Sequence, residues 1–177
     1  MSNNEEAKEL TISEIRDNLA SFSKELNGAL EDIEYSKKRL AELSSRDYNE
    51  KIDVEKDIRD DKNIIYNVKP IIAKLKALLC ELLIREILAD REPELTTDEA
   101  QMLMDMYVPI VDENARNMEY DKRTYEAFGK SGNLEGDDEF NAYDEAFSEF
   151  KDSTTKYENS LKVLNYAQCF IPENKQI

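Results

Sequence analysis

Pro70–Ala89, PIIAKLKALLCELLIREILA, decides the fold. Its apolar residues do not form a narrow stripe. Ile71, Ile72, Leu75, Leu78, Leu79, Cys80, Leu82, Leu83, Ile84, Ile87 and Leu88 nearly encircle a helix, and only Lys74, Glu81 and Arg85 share a polar line. A helix apolar almost all round is one that other helices bury. The stretch is therefore expected at the centre of a bundle, with Leu79, Leu82 and Leu83 among its most buried residues. It is not read as a membrane span, because Lys74, Lys76, Glu81, Arg85 and Glu86 are spread along it. In lipid, several of these would cost about 2.5–3.5 kcal/mol each.

The flanking sequence supplies the wall of such a bundle. Before the stretch, a strict heptad places Ile12, Leu19, Leu26, Ile33 and Leu40 at a, and Ile15, Phe22, Ala29, Ser36 and Leu43 at d. That two-in-seven seam is typical of coiled-coil packing. Thr11 or Ser13 can cap its helix, which should end near Ser44–Asp47. A second helix restarts near Tyr48 with Val54, Ile58, Asp61, Ile65 and Val68 in its seam, and Pro70 predicts a kink or break. After the linker at 91–97, Thr96 and Glu99 form a capping-box pattern. The third helix then carries Leu103, Met106, Tyr107, Ile110, Val111, Met118, Tyr125 and Phe128, with a bend expected at Pro109. Three of the four glycines fall in GKSGNLEG, 129–136, the clearest break in the chain. The last helix, capped by Asp137 or Asp138, reads as a heptad of Phe140, Tyr143, Phe147, Phe150, Thr154, Tyr157, Leu161, Leu164 and Gln168, ended by Pro172.

The expected fold is all-α: an antiparallel up-down bundle of four long helices at about 12–46, 48–89, 97–128 and 138–169. It forms a single domain over 1–177. Antiparallel pairing about the three turns sets 70–89 beside the first and third helices. The hairpin tip at 33–60 is left projecting by about 15–25 Å.

Composition narrows the functions. With 177 residues the chain can bury a real core. The net charge is −16, and 40 % of residues are apolar and periodic, so the acidity is not a mark of disorder. Such a charge repels nucleic acid and anionic lipid and favours a basic partner. The acidity is localised. Residues 91–177 hold 9 bases and 20 acids, a net of −11, whereas 36–62 hold 8 of each. Two cysteines with no disulfide framework, and a polar, acidic N-terminus unlike a signal peptide, point to a reducing, cytoplasmic compartment.

No catalytic device emerges. The chain has no histidine, which removes serine–histidine and cysteine–histidine pairs and the Glu-x-x-His sites of di-metal bundles. Gly129-Lys130-Ser131 resembles the end of a phosphate-binding loop, but Thr124 stands where the earlier glycine belongs and a helix precedes it. Asp90-Arg-Glu-Pro-Glu resembles the start of a calcium loop, but Leu95 and Gln101 occupy its glycine and glutamate positions. Cys169 has no basic neighbour close in sequence to activate it. The aromatic run from Phe140 to Tyr157 is at core spacing. The expectation is a non-enzymatic protein with no cofactor and no metal.

One surface feature competes with simple solvation. Asp138, Glu145, Glu149 and Asp152 fall on one side of the last helix, opposite its expected apolar seam, with Asp137 and Glu139 flanking its start. The charge exceeds the net of about 2–8 that a small soluble domain needs. Carboxylates in line on a rigid helix can imitate a phosphate backbone and occupy a basic nucleic-acid groove. The expected function is binding of a basic protein surface, such as that of a nucleic-acid-binding protein, to sequester or inhibit it. No direct contact with nucleic acid or membrane is expected. The alternative is a structural coiled-coil scaffold or self-assembling subunit, homodimeric through the hairpin.

Overall fold

The computed structural model describes residues 10–44, 46–130 and 137–172, the side chains of 130 and 137–140 excepted. The chain is all-α and of the helical-bundle class. Its four helices are α1 (Ile12–Glu42), α2 (Tyr48–Leu88), α3 (Thr97–Lys130) and α4 (Asp137–Gln168), and the described residues include no strand. The expected bounds hold to within a few residues. Residues 1–9, most of the glycine loop and the choice of cap for α4 lie outside the described residues. Two compact units divide the chain between Leu82 and Leu83, within α2.

In the first unit the heptad reading of α1 is met position by position. All ten seam residues are buried or half-buried, with Ile15, Ala29, Ile33 and Ser36 buried. Thr11 is the N-cap. Its hydroxyl accepts from Glu14 N at 3.2 Å, and its own N–H donates to Glu14 Oε2 at 2.8 Å, a capping box that satisfies two otherwise orphaned donors. α1 stops at Glu42, a turn earlier than expected. There the Asp47 carboxylate accepts from both Ser44 N (2.9 Å) and Ser44 Oγ (2.8 Å), tying the chain into a turn. Those hydrogen bonds, the side-chain one first, hold the Asp47 carboxyl below its usual range. Just beyond the turn, Arg39 Nη2 meets Glu50 Oε1 at 2.6 Å.

On α2 the seam of Val54, Ile58, Asp61, Ile65 and Val68 continues at the same spacing through Ile72, Leu75 and Leu79, all buried or half-buried. The helix does not break at Pro70, nor does α3 at Pro109. Both prolines are exposed and off the seam, so the carbonyl four residues earlier, deprived of its donor, can turn to water. The expectation that 70–89 is buried all round is corrected. Leu79, Cys80, Leu83 and Ile87 are buried, but Leu82 is only half-buried, and Ile71 and Leu88 are exposed. The polar line of Lys74, Glu81 and Arg85, with Ala73 and Ala77, marks the wet side.

In the second unit, α2 ends in a Schellman motif. Arg91 N donates to Glu86 O (2.9 Å) and Asp90 N to Ile87 O (3.2 Å). Asp90 takes the left-handed position with φ of 57°. α4 clamps this end. Lys162 Nζ reaches Leu88 O (3.3 Å) and Asp90 Oδ1 (2.6 Å), and Tyr166 Oη donates to Pro93 O at 2.9 Å. α3 starts on the expected box: Thr96 N donates to Glu99 Oε2 at 2.8 Å, and Thr96 Oγ1 accepts from Glu99 N at 3.2 Å.

Two predictions follow from burial. Leu83 is fully buried and Leu82 is not. Leu83→Ala should cost about 2–5 kcal/mol, and Leu82→Ala clearly less, in urea-melt comparisons. The second concerns Asp61 in the α2 seam. Desolvation, then the charges of Asp32, Asp57 and Asp60, raise its carboxyl above the usual range. The folded chain therefore binds this proton more tightly than the unfolded one, and stability from Asp61 falls as pH rises through the raised value. Asp61→Asn should raise the melting temperature at pH 7, and the gain should vanish as pH falls below the ordinary aspartate range.

Candidate functional site

α3 and α4 pack against each other in the second unit. Their register is antiparallel: Tyr125 meets Tyr143, Phe147 and Phe150, while nearer the start of α3 Asn114 Nδ2 donates to Lys156 O at 3.4 Å. Tyr125 Oη and Tyr143 Oη share a hydrogen bond of 2.8 Å, and that bond, with partial burial, raises the Tyr143 phenol above its usual range.

The seam of α4 is not the one the apolar pattern predicts. Its most buried residues are Ala146, Ser153, Ser160, Val163 and Ala167, and four of these recur every seven residues. Each precedes by one an expected seam residue: Phe147, Thr154, Leu161 and Gln168. Phe147 is 45 % exposed. Small residues on this buried line leave room for a close neighbour, while Tyr143, Phe150 and Tyr157 flank the line and remain half-buried. The buried hydroxyls find acceptors on their own helix, Ser153 Oγ on Phe150 O (3.1 Å) and Ser160 Oγ on Tyr157 O (2.8 Å). Burying them therefore leaves no unpaired group. On α3 likewise Ala100 and Leu103 are fully buried, whereas Met106 and Phe128, expected in the seam, are exposed.

This rotation moves the acidic stripe. Glu145, Glu149 and Asp152 are exposed, as expected, but Glu149 and Asp152 border α3 instead of lying opposite the seam. Glu149 and Asp152 line a groove of about 420 Å³ together with Asn114, Asn117, Tyr120 and Asp121 of α3 and Ser153 and Lys156 of α4. Three carboxylates thus face one ammonium, two amides and a largely exposed phenol. Asp137, Asp138 and Glu139 belong to the first turn of α4, and their side chains lie outside the described residues. The α3 half of the groove escapes a reading of α4 alone. Its signal is Asn114, Asn117 and Asp121 at spacings of three and four beside the α3 seam, which become meaningful once Asn114 is set level with Lys156.

A second cleft, of about 440 Å³, lies between the Asp90–Glu92 linker and α4. It is lined by Ile87, Asp90, Arg91, Glu92, Lys162, Asn165, Tyr166 and Cys169. It brings two bases into the surroundings of Cys169, but Lys162 is engaged by Asp90 and Arg91 by Glu86, and the thiol donates to Asn165 O at 3.4 Å. Neither Cys80 nor Cys169 is joined in a disulfide. Among the described residues no group of three acidic or cysteine side chains is placed to hold a metal ion, and no helix is long and apolar enough to cross a membrane. Comparison with protein-family models, curated proteins and solved structures finds no match to this chain.

The small-residue line gives a direct test. Ser153→Leu inserts bulk on this buried line and should destabilise by about 1–3 kcal/mol. Ser153→Ala should be nearly neutral, because the serine bonds only its own helix. Paired thermal melts would read the difference, and equal losses would remove Ser153 from the joint.

Proposed function

We propose that this is a non-enzymatic binding protein that takes a basic protein surface on the acidic face of α3 and α4, so as to sequester or inhibit its owner in the manner of a nucleic-acid mimic. The observation that carries the reading is the α3–α4 groove, where Asp121, Glu149 and Asp152 converge with Lys156 as the one cation. An arginine or lysine side chain entering it would find carboxylate acceptors and the amides of Asn114 and Asn117. Asp137, Asp138, Glu139 and Glu145 would extend the negative field along α4 and speed encounter with a basic partner. Carboxylates fixed on helices need little ordering on binding, which limits the entropy cost.

Partners captured from the native host's lysate and eluted by salt should be basic proteins, and the chain should compete with DNA for them. Asp138→Asn, Glu145→Gln and Glu149→Gln combined should slow association and flatten its dependence on salt, with thermal stability nearly unchanged. Stopped-flow on-rates at two salt concentrations provide the check. A triple variant that matches the parent in both rate and salt slope would mean that the face is merely solvated, and would turn attention to the hairpin around Lys37, Lys38 and Arg39.

A further inference from the structure

Residues 62–80 carry Lys62, Lys69, Lys74 and Lys76 and no acid, in a chain whose net charge is −16. All four lysines are exposed, and none makes an ion pair with a described residue. Lys62, Lys69 and Lys76 recur every seven residues on α2, so they stand in one line with a repeat of about 10 Å. Beside that line stand uncharged exposed residues: Tyr66, 80 % exposed, then Pro70, Ala73 and Ala77. A hollow of about 470 Å³ opens between Tyr66, Asn67, Lys69 and Pro70.

The same chain holds acidic lines of this repeat on α3, from Asp98 to Glu126, and on α4, the helix whose carboxylates are read as a binding face. Glu145 and Asp152, both exposed, stand seven residues apart on α4, and Asp138 falls seven residues before Glu145 in the sequence. Lysines and carboxylates with the same seven-residue repeat can be set against each other along two nearly aligned helices, as opposed charges are in paired coiled coils. We propose that the chain associates with itself through this pair of lines, α2 of one copy docking on α4 of another. The inference rests on the reading of the α4 acids as a binding face, and it names a second copy as an occupant of that face. A nucleic-acid backbone fits the lysine line less well, since its charges recur every 3.4 Å per strand, about a third of the lysine repeat.

The charge balance gives the contact a signature. Two copies at net −16 repel each other at long range, and that repulsion is strongest in dilute salt. At about 0.15 M the Debye length is near 8 Å, so distant charges are screened while touching pairs are not. At about 1 M the touching pairs weaken as well. Association should therefore peak at intermediate salt, whereas an apolar interface would strengthen steadily.

Sedimentation velocity on the full chain, over a concentration series at about 0.01, 0.15 and 1 M salt, tests this. Lys62→Glu, Lys69→Glu and Lys76→Glu combined should weaken self-association about tenfold or more. So should Asp138→Lys, Glu145→Lys and Asp152→Lys combined. Mixed together, the two variants should assemble again, because each restores the opposite charge to the other. Circular dichroism confirms that both fold. A wild-type chain that stays monomeric at every salt overturns the inference, as does a mixture that does not recover. If that monomer still binds a basic partner through α4, the proposed function stands without self-association. Retention on heparin that depends on the lysine line in a monomeric chain would reassign that line to a polyanion and likewise overturn the inference.

Discussion

Every described element of this protein is an α-helix, so nearly all of its backbone hydrogen bonds close within one segment. No ladder of the kind that joins strands holds one element to the next. What joins them is the burial of side chains along seams, assisted by a few long-range contacts such as Arg39–Glu50 and Tyr166–Pro93. The seams must therefore fit in shape as well as in hydrophobicity, and shape decides where each helix turns its face. In α4 that requirement outranks apolarity: serines and alanines occupy the buried line, and phenylalanines and tyrosines stand at its edges.

The legibility of the fold follows from the same point. In α1 the large aliphatic residues are also the seam residues, so a count of apolar positions finds the buried face and the start of the helix, while the Ser44–Asp47 hydrogen bonds end it a turn early. The caps are local hydrogen-bond patterns, and Thr96 with Glu99 is visible from their spacing alone. In α4 the two criteria separate. Ser153 and Ser160 do not announce themselves as core, because their hydroxyls are satisfied by carbonyls three residues earlier in the same helix. The strongly apolar 70–89 stretch misleads in the opposite direction. Hydrophobicity all round the helix suggests encirclement, yet Ile71 and Leu88 stay exposed.

The candidate site was half legible. Glu145, Glu149 and Asp152 share a side of one helix, and helical spacing is enough to group them. That Glu149 and Asp152 border a groove depends on how α4 is rotated. The groove's other wall, from Asn114 to Asp121, depends on the α3–α4 register, fixed by Tyr125 among Tyr143, Phe147 and Phe150. No pattern within a single helix carries that information. The lysine line of α2 is hard to see for a different reason: it runs through a stretch of apolar residues, and the lack of acids from 62 to 80 is notable only against the acidity of the rest.

The division between the two compact units falls at Leu82–Leu83, inside the uninterrupted helix α2. There is accordingly no loop at the boundary for a protease to enter, and none in which a fusion or insertion could be accommodated. A cut there would strand about four carbonyls on one fragment and four amide groups on the other. The first fragment would end, and the second begin, in a frayed turn without a cap. Dissection of this chain into independently expressed halves is better attempted by severing the Ser44–Asp47 turn or the Asp90–Thr96 linker, with the parts supplied together so that α2 remains whole.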